Sequence, residues 1–263
     1  MAYAWRAEAS AAADPGDGAV IVSSFPSAGL ATTVAGHYMV QSLGLARVGR
    51  LESPDAPPIA VIQDGKVGPT VRVYGRHGLA LVLSEFPPTA SQATALAGTI
   101  LDAAEQRTAR MVLCLEGVVP HPDSDEPESP AAPDTAAEQV WGAYSHPDDP
   151  VAKTFAAAGV RPLDDGVIGG VSGALLVGGL ARKVPVAVLL VSARAAGGLP
   201  DHRAGAALIE TLDRLLPELK IDTGPLRAQA EQIERALRAA MKRRPDAPAA
   251  EPEPGPPSAE MYR

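Results

Sequence analysis

The sequence predicts an α/β domain built on a largely parallel sheet, and three observations lead there. From residue 19 onward, short β-branched runs alternate with longer stretches of helical spacing, the pattern of strand-helix-strand units. At 263 residues the chain is long enough to bury a full core in one domain. Its apolar fraction of 46% contains only 4% aromatic residues, so that core must be made of Ala, Val and Leu.

Taken in order, residues 19–23 (Ala-Val-Ile-Val-Ser) are a continuous apolar run and read as a buried strand. Residues 27–43 follow with helical spacing of Leu30, Val34, His37/Tyr38 and Val40/Gln41 behind Pro26. Residues 46–53, 59–63 and 71–74 read as strands, punctuated by prolines and by Asp64-Gly65, a hairpin-type turn. A strand at 79–84, a helix at 89–106 and a strand at 110–115 come next, and the pattern resumes with 140–144 and a short helix at 151–158. A strand ending at Ile168, a helix at 173–182, a strand at 185–192 and a helix at 201–216 complete the alternation. After Asp222 a long helical pattern through Leu226, Ala230, Ile233 and Leu237 ends in Lys242-Arg243-Arg244, basic residues that a helix C-terminus favours. The chain therefore divides into an N-terminal segment 1–18, a folded body 19–244, a linker 245–260 and a terminal tripeptide 261–263. The linker is expected to be disordered: residues 245–259 hold six prolines and no large apolar side chain.

Composition narrows the function. With 23 Lys+Arg against 31 Asp+Glu the formal charge is −8, which disfavours a nucleic-acid partner because there is no basic excess to displace counterions. The single cysteine, Cys114, lies in the apolar run 111–115 and reads as a buried thiol. Arg6, Glu8 and Asp14 interrupt the first twenty residues, so no signal peptide is read there and a cytoplasmic protein is expected. The uncharged, Gly-rich stretch 167–181 falls short of the roughly 20 apolar residues of a bilayer span, so no membrane association is expected. His37, His77, His121, His146 and His202 show no ligand spacing, and neither a metal nor a cofactor is expected. Residues 120–137 combine five prolines with Asp123, Asp125, Glu126, Glu128 and Asp134, the composition of a solvated loop.

Two connections could carry chemistry. The first, Ser23 to Gly29, offers Ser24, Ser27 and Gly29 at a helix start, where small residues and amides can hold an anion. A serine cap with tight packing explains it equally well, and the spacing Gly-x-Gly-x-x-Gly is absent. The second, Ile168 to Ala174, holds Gly170 and Ser172 and approaches a nucleophile elbow, but Ala174 stands where the second glycine of Gly-x-Ser-x-Gly belongs and only His202 follows. Close packing is the better reading, and no catalytic residue is assigned. Glu85 and Glu116 fall at the predicted carboxyl ends of two strands, where α/β sheets place ligands. Such a pair could act as acid and base or hold a cation. With no partnering His or second acid nearby in sequence, capping helices or serving a subunit contact is the better reading.

The last three residues, Met261-Tyr262-Arg263, restore two sizeable side chains after the linker, in the hydrophobic-Tyr-any order by which proteasome activators and assembly factors dock. Further up the chain, Ser24-Phe25-Pro26-Ser27-Ala28-Gly29-Leu30, Ser84-Glu85-Phe86-Pro87, Leu115-Glu116-Gly117 and Gly169-Gly170-Val171-Ser172-Gly173 occur in that order, followed by Asp201-His202-Arg203-Ala204 and Ile221-Asp222. Together these segments resemble the proteasome assembly chaperone family in its archaeal and actinobacterial form, over about residues 19–240. The resemblance implies a three-layer, nucleoside-phosphorylase-like α/β fold with a mostly parallel mixed sheet, no established catalytic site and homo-oligomeric assembly. In some members it implies a C-terminal tail that enters pockets between α-subunits of the 20S proteasome, and Met261, Tyr262 and Arg263 match that tail residue by residue. The loop 120–137 is longer than the family pattern. An enzyme of the phosphorylase or hydrolase kind and a small-ligand module are the competing classes, since a fold alone does not decide function.

Overall fold

Period-two alternation along the central strands sorts their side chains into two separate cores. In β2 (Val20–Ser24), Val20 and Val22 enter one cluster and Ile21 the other. Leu79, Leu81 and Leu83 of β7 (Leu79–Ser84) and Met111, Leu113 and Leu115 of β8 (Met111–Val118) side with Val20, whereas Val82, Val112 and Cys114 side with Ile21. β11 (Val186–Ser192) divides likewise, with Leu189 on the first face and Val188 on the second. Burial on both faces is why these strands appear as unbroken apolar runs. The computed structural model of the chain describes residues 2–8, 13–63, 65–119, 138–146, 150–194 and 199–242. The acidic loop 120–137, the linker 245–260 and Met261, Tyr262 and Arg263 lie outside the described residues.

The remaining strands are β1 (Ala4–Ala7), β3 (Ala46–Glu52), β4 (Val61–Gln63), β5 (Lys66–Gly68), β6 (Val71–Arg76), β9 (Val140–Tyr144) and β10 (Arg161–Pro162). Nine strands form one sheet in the order β1-β3-β6-β7-β2-β8-β11-β9-β10, and β4 and β5 pair as a separate hairpin. The sheet is mixed. β7, β2, β8 and β11 run parallel at its centre, β1, β3 and β6 form an antiparallel wing that joins β7 antiparallel, and β9 returns antiparallel beside β11 with β10 parallel to it.

Helices cover both faces in a three-layer arrangement. The first core takes Ala31, Ala35 and Met39 of α1 (Ala31–Ser42), Phe155 of α3 (Pro150–Ala157), Leu208 and Leu212 of α5 (His202–Leu215) and Leu226 of α6 (Gly224–Lys242). The second takes Leu96 and Ile100 of α2 (Ala90–Gln106) and Val171 and Leu175 of α4 (Gly170–Arg182). Helix starts follow local chemistry. Thr89 and Gln92 make a capping box on α2, the Gln92 amide donating to Thr89 Oγ1 at 3.4 Å and the Thr89 amide to Gln92 Oε1 at 2.9 Å. Asp201 caps α5 by accepting from the Ala204 amide at 3.0 Å.

Three sequence expectations change. Residues 4–7, read as outside the folded body 19–244, form β1 and pair with β3 at the edge of the main sheet, with Tyr3 in the second core. No strand ends at Ile168: the only strand between α3 and α4 is the two-residue β10, and residues 163–169 are irregular, as Pro162 and Asp164-Asp165-Gly166 dictate. The following helix begins at Gly170, three residues earlier than its apolar spacing indicates, because glycines carry no hydrophobic signal.

Candidate functional site

The carboxyl ends of β2, β7, β8 and β11 share one edge of the sheet, and the candidate residues stand there or on the connections that leave it. Ser24 ends β2, Ser27 and Gly29 lie between β2 and α1, Glu85 follows β7, Glu116 is in β8, and Gly170 and Ser172 open α4.

The β2–α1 connection is held by its own hydroxyls. Ser24 Oγ donates to the Thr32 carbonyl at 2.7 Å and Thr32 Oγ1 to the Phe25 carbonyl at 2.6 Å. Ser27 Oγ lies 3.1 Å from Thr32 Oγ1 and accepts from the Gly117 amide of β8 at 2.8 Å. Both candidate serines are thus engaged in tying the turn to α1 and β8. Gly29 ties it to the next connection: its carbonyl accepts from the Asp201 amide at 2.7 Å, while Asp201 Oδ2 accepts from the Arg194 amide at 2.9 Å. Gly29 adopts φ +61, and a Cβ there would come within 2.8 Å of the Arg194 carbonyl oxygen. Only glycine fits.

Glu85 belongs to an ion pair that spans two layers. The guanidinium of Arg72 in β6 hydrogen-bonds Glu85 Oε1, and His37 Nε2 of α1 lies 2.9 Å from the same oxygen. Burial alone would raise the Glu85 carboxyl, but the hydrogen bonds from His37 and Arg72 outweigh it and hold the group below its usual range.

Glu116 has the opposite environment. Its Oε2 accepts from Ser172 Oγ at 2.7 Å, and burial pushes the carboxyl up to about 7 even though that hydrogen bond pulls the other way. The partners of Glu85 come from β6 and α1, whereas that of Glu116 comes from α4 in the opposite layer, so the two carboxylates do not form an acid-base pair. Ser172 lies in the first turn of a helix whose leading residue, Gly170, is left-handed at φ +62. Among the described residues no histidine hydrogen-bonds Ser172 or Glu116, so the triad order that a serine nucleophile needs is not assembled. Cys114, one inward-facing step below Glu116 on β8, is fully buried, and desolvation pushes its thiol up, reinforced by the nearby Glu116.

Beside Glu116 the chain forms a crevice of about 300 Å3, lined by Phe25 and Pro26 after β2, Pro87 and Pro88 after β7, Val167 and Ile168 before α4, and Leu190 of β11. A second hollow of about 280 Å3 lies between α1, α5 and α6 against His37, Tyr38 and His202. A third, of about 400 Å3, is lined by Trp141, Arg161 and Arg214 near β9 and β10. Among the described residues no three His, Cys, Asp or Glu side chains gather into a set able to hold a metal ion, and no helix is long and apolar enough to cross a membrane.

The profile of the PAC2 family matches residues 21–241, most of the chain and the whole of the site. The chain belongs to the PAC2 family. Its fold is similar to that of Pyrococcus furiosus PbaA, described as an archaeal homologue of proteasome-assembly chaperone, with a TM-score of 0.76, 24% identity and 92% of both chains covered. P. furiosus PbaB, described as an archaeal proteasome activator, is similar with a TM-score of 0.72 and 20% identity over 91% of this chain and 99% of that one. In sequence the chain is 25% identical over 221 residues to the uncharacterized protein MJ0106 of Methanocaldococcus jannaschii, 83% of this chain and 84% of that protein.

Within this PAC2 chain, sequence reasoning missed Arg72 and His37 as the partners of Glu85. His37 stood in the predicted first helix, where its spacing pointed to helix formation rather than to a carboxylate. The alternation Val71-Arg72-Val73 is that of a strand with one polar face, which carries no sign that Arg72 is buried.

Proposed function

We propose that this chain is a non-catalytic proteasome-binding factor, an assembly chaperone or an ATP-independent activator of the 20S proteasome. The observation that carries the reading is its membership of the PAC2 family, with likeness over nine-tenths of the chain to proteins described as a proteasome-assembly chaperone homologue and a proteasome activator. The hydrogen bonds by which Ser24 and Ser27 tie the β2–α1 turn to α1 and β8 fit a body that presents surfaces.

In this proposal the body 19–244 works as a cytoplasmic homo-oligomer, and Met261-Tyr262-Arg263 docks between α-subunits of the 20S ring. Tyr262 supplies a flat amphipathic ring, Met261 an adaptable apolar plug, and the Arg263 carboxylate a charge for a buried lysine. A linker of about fifteen residues at about 3 Å each reaches tens of Å, so body and ring need not touch closely. Several tails on one oligomer add avidity. The test is capture of 20S particles by the full chain and by a chain ending at Glu260: the full chain retains particles and the shortened one does not. Equal retention removes the tail from the mechanism, and no retention by either removes the proteasome.

A further inference from the structure

The crevice beside Glu116 differs from the other two hollows in its charge. The hollow between α1, α5 and α6 has two histidines on its wall, and the one near β9 and β10 has two arginines and Glu138 on its wall. The Glu116 crevice is lined by Phe25, three prolines, aliphatic side chains, glycine backbone and Ser172, with no Lys, Arg or His on its described wall. Its carboxyl is therefore an ionisable group in an apolar recess with one neutral hydroxyl as its hydrogen-bond partner. Once ionised, a carboxylate taken out of water needs a cation, and the described wall supplies none.

We propose that this crevice binds a small organic ammonium, its charged head paired with the Glu116 carboxylate and its apolar body resting against Phe25, Pro26, Pro87 and Leu190. The volume of about 300 Å3 sits at the lower end of the range for small-molecule sites, ~300–1,000 Å3, and fits a body the size of one aromatic ring with a short chain. Rigid prolines on two of the lining connections, Pro26 and Pro87-Pro88, keep the apolar walls in place before a ligand arrives, which lowers the ordering cost of binding. The start of α4 opposes a cation through its dipole, but that effect is weaker than a desolvated charge pair and is screened by salt.

Among the described residues lining the crevice, Glu116 is the one that titrates in the neutral range. On its own strand Cys114 is a buried thiol pushed up, on α4 Ser172 is neutral, and Leu190 of β11 and the lining residues of the β2–α1 and β7–α2 connections, Phe25, Pro26, Pro87 and Pro88, do not ionise. The carboxyl itself stands at about 7, so an ammonium that needs the ionised form must displace a proton at lower pH.

The test is calorimetric titration of the full-length protein with 2-phenylethylammonium, with 2-phenylethanol as the neutral analogue and 3-phenylpropanoate as the anionic one, in pairs of buffers with different ionisation enthalpy. The ammonium is expected to bind at least tenfold more tightly than either analogue, to release close to one proton at pH 6 and close to none at pH 8.5. Glu116→Gln should weaken it at least tenfold and abolish the proton release. Val167 is 99% exposed at the rim, so Val167→Arg should fold normally and, by placing a fixed cation at the mouth, weaken the ammonium about threefold at low salt and less at high salt. The proposal is overturned if no ammonium binding is detected up to 10 mM, if either analogue binds as tightly, or if both variants bind like the unaltered protein.

Discussion

Arg72 and Glu85 form an ion pair in which the arginine side chain is 1% exposed and the glutamate 30% exposed. Arg72 sits in β6 directly across from Leu83 of β7, and Glu85 follows two residues later, so the pair closes over the junction between the antiparallel wing and the parallel centre of the sheet. His37 adds α1 to the same oxygen, which fastens the helix layer to that junction. Arg72 Nε and Glu85 Oε2 are buried without a hydrogen-bond partner among the described residues, so the arrangement depends on the single shared oxygen.

Removing the glutamate strands the arginine. Glu85→Ala leaves a buried guanidinium without its counter-charge and is expected to cost about 3–5 kcal/mol, measured by denaturant unfolding at pH 7. The double change Arg72→Met with Glu85→Gln should recover most of that loss, because neither a charge nor an unmatched partner remains. Since the Glu85 carboxyl is held below its usual value of 4.5, its contribution is complete above that pH and disappears as pH falls through the depressed value. The gap between the unaltered protein and Glu85→Ala should therefore narrow only in acid. A gap that stays constant down to pH 3 would contradict the assignment.

Gly29 and Gly18 separate backbone conformation from contact. Both have positive φ, +61 and +73, but a Cβ at Gly18 meets nothing within 4 Å whereas one at Gly29 meets the Arg194 carbonyl oxygen at 2.8 Å. Gly18→Ala is expected to cost about 1 kcal/mol, the left-handed penalty alone, and Gly29→Ala at least about twice that. Thermal unfolding of the two variants side by side decides the matter, and equal shifts would mean that the contact relaxes freely.

Glu116 imposes a pH dependence of the opposite sign. Between its unfolded value of 4.5 and its folded value of about 7, the folded chain retains a proton that the unfolded chain has lost. Stability from this group therefore falls as pH rises through that window and is level above it, by up to about 3 kcal/mol at about 1.4 kcal/mol per unit. Glu116→Gln removes the dependence, so the variant should gain on the unaltered protein steadily from pH 5 to pH 7.5. Unfolding curves that run parallel across this range would show that the carboxyl is solvated.

If the tail docks as proposed, Tyr262→Ala and a single glycine appended after Arg263 are expected to weaken 20S capture to a similar degree, since one removes the ring that would enter the pocket and the other would move the carboxylate past its partner. Arg263→Ala keeps both and should bind almost normally. Surface capture at equal oligomer concentration and two salt levels separates the three. Loss of binding by Arg263→Ala alone would replace carboxylate capture with side-chain recognition.

Much of this architecture is written in local pattern. Strands such as 79–84 and 186–192 are legible because both faces are buried and every position before the closing serine is apolar, and the start of α2 is legible because Thr89 and Gln92 have the spacing of a capping box. The two-residue β10 is not legible, since a strand that short has no periodicity of its own and exists through its pairing with β9. The candidate residues show the same division. Glu85 and Glu116 could be placed at strand ends from sequence, but a chain of letters carries no statement of which sheet face each side chain reaches or what waits there. Tertiary structure sends Glu85 to Arg72 and His37 and Glu116 to Ser172, 56 residues away. It thereby gives two like carboxyls opposite titrations, because in one case the hydrogen bonds of His37 and Arg72 outweigh burial, and in the other desolvation outweighs a single hydroxyl.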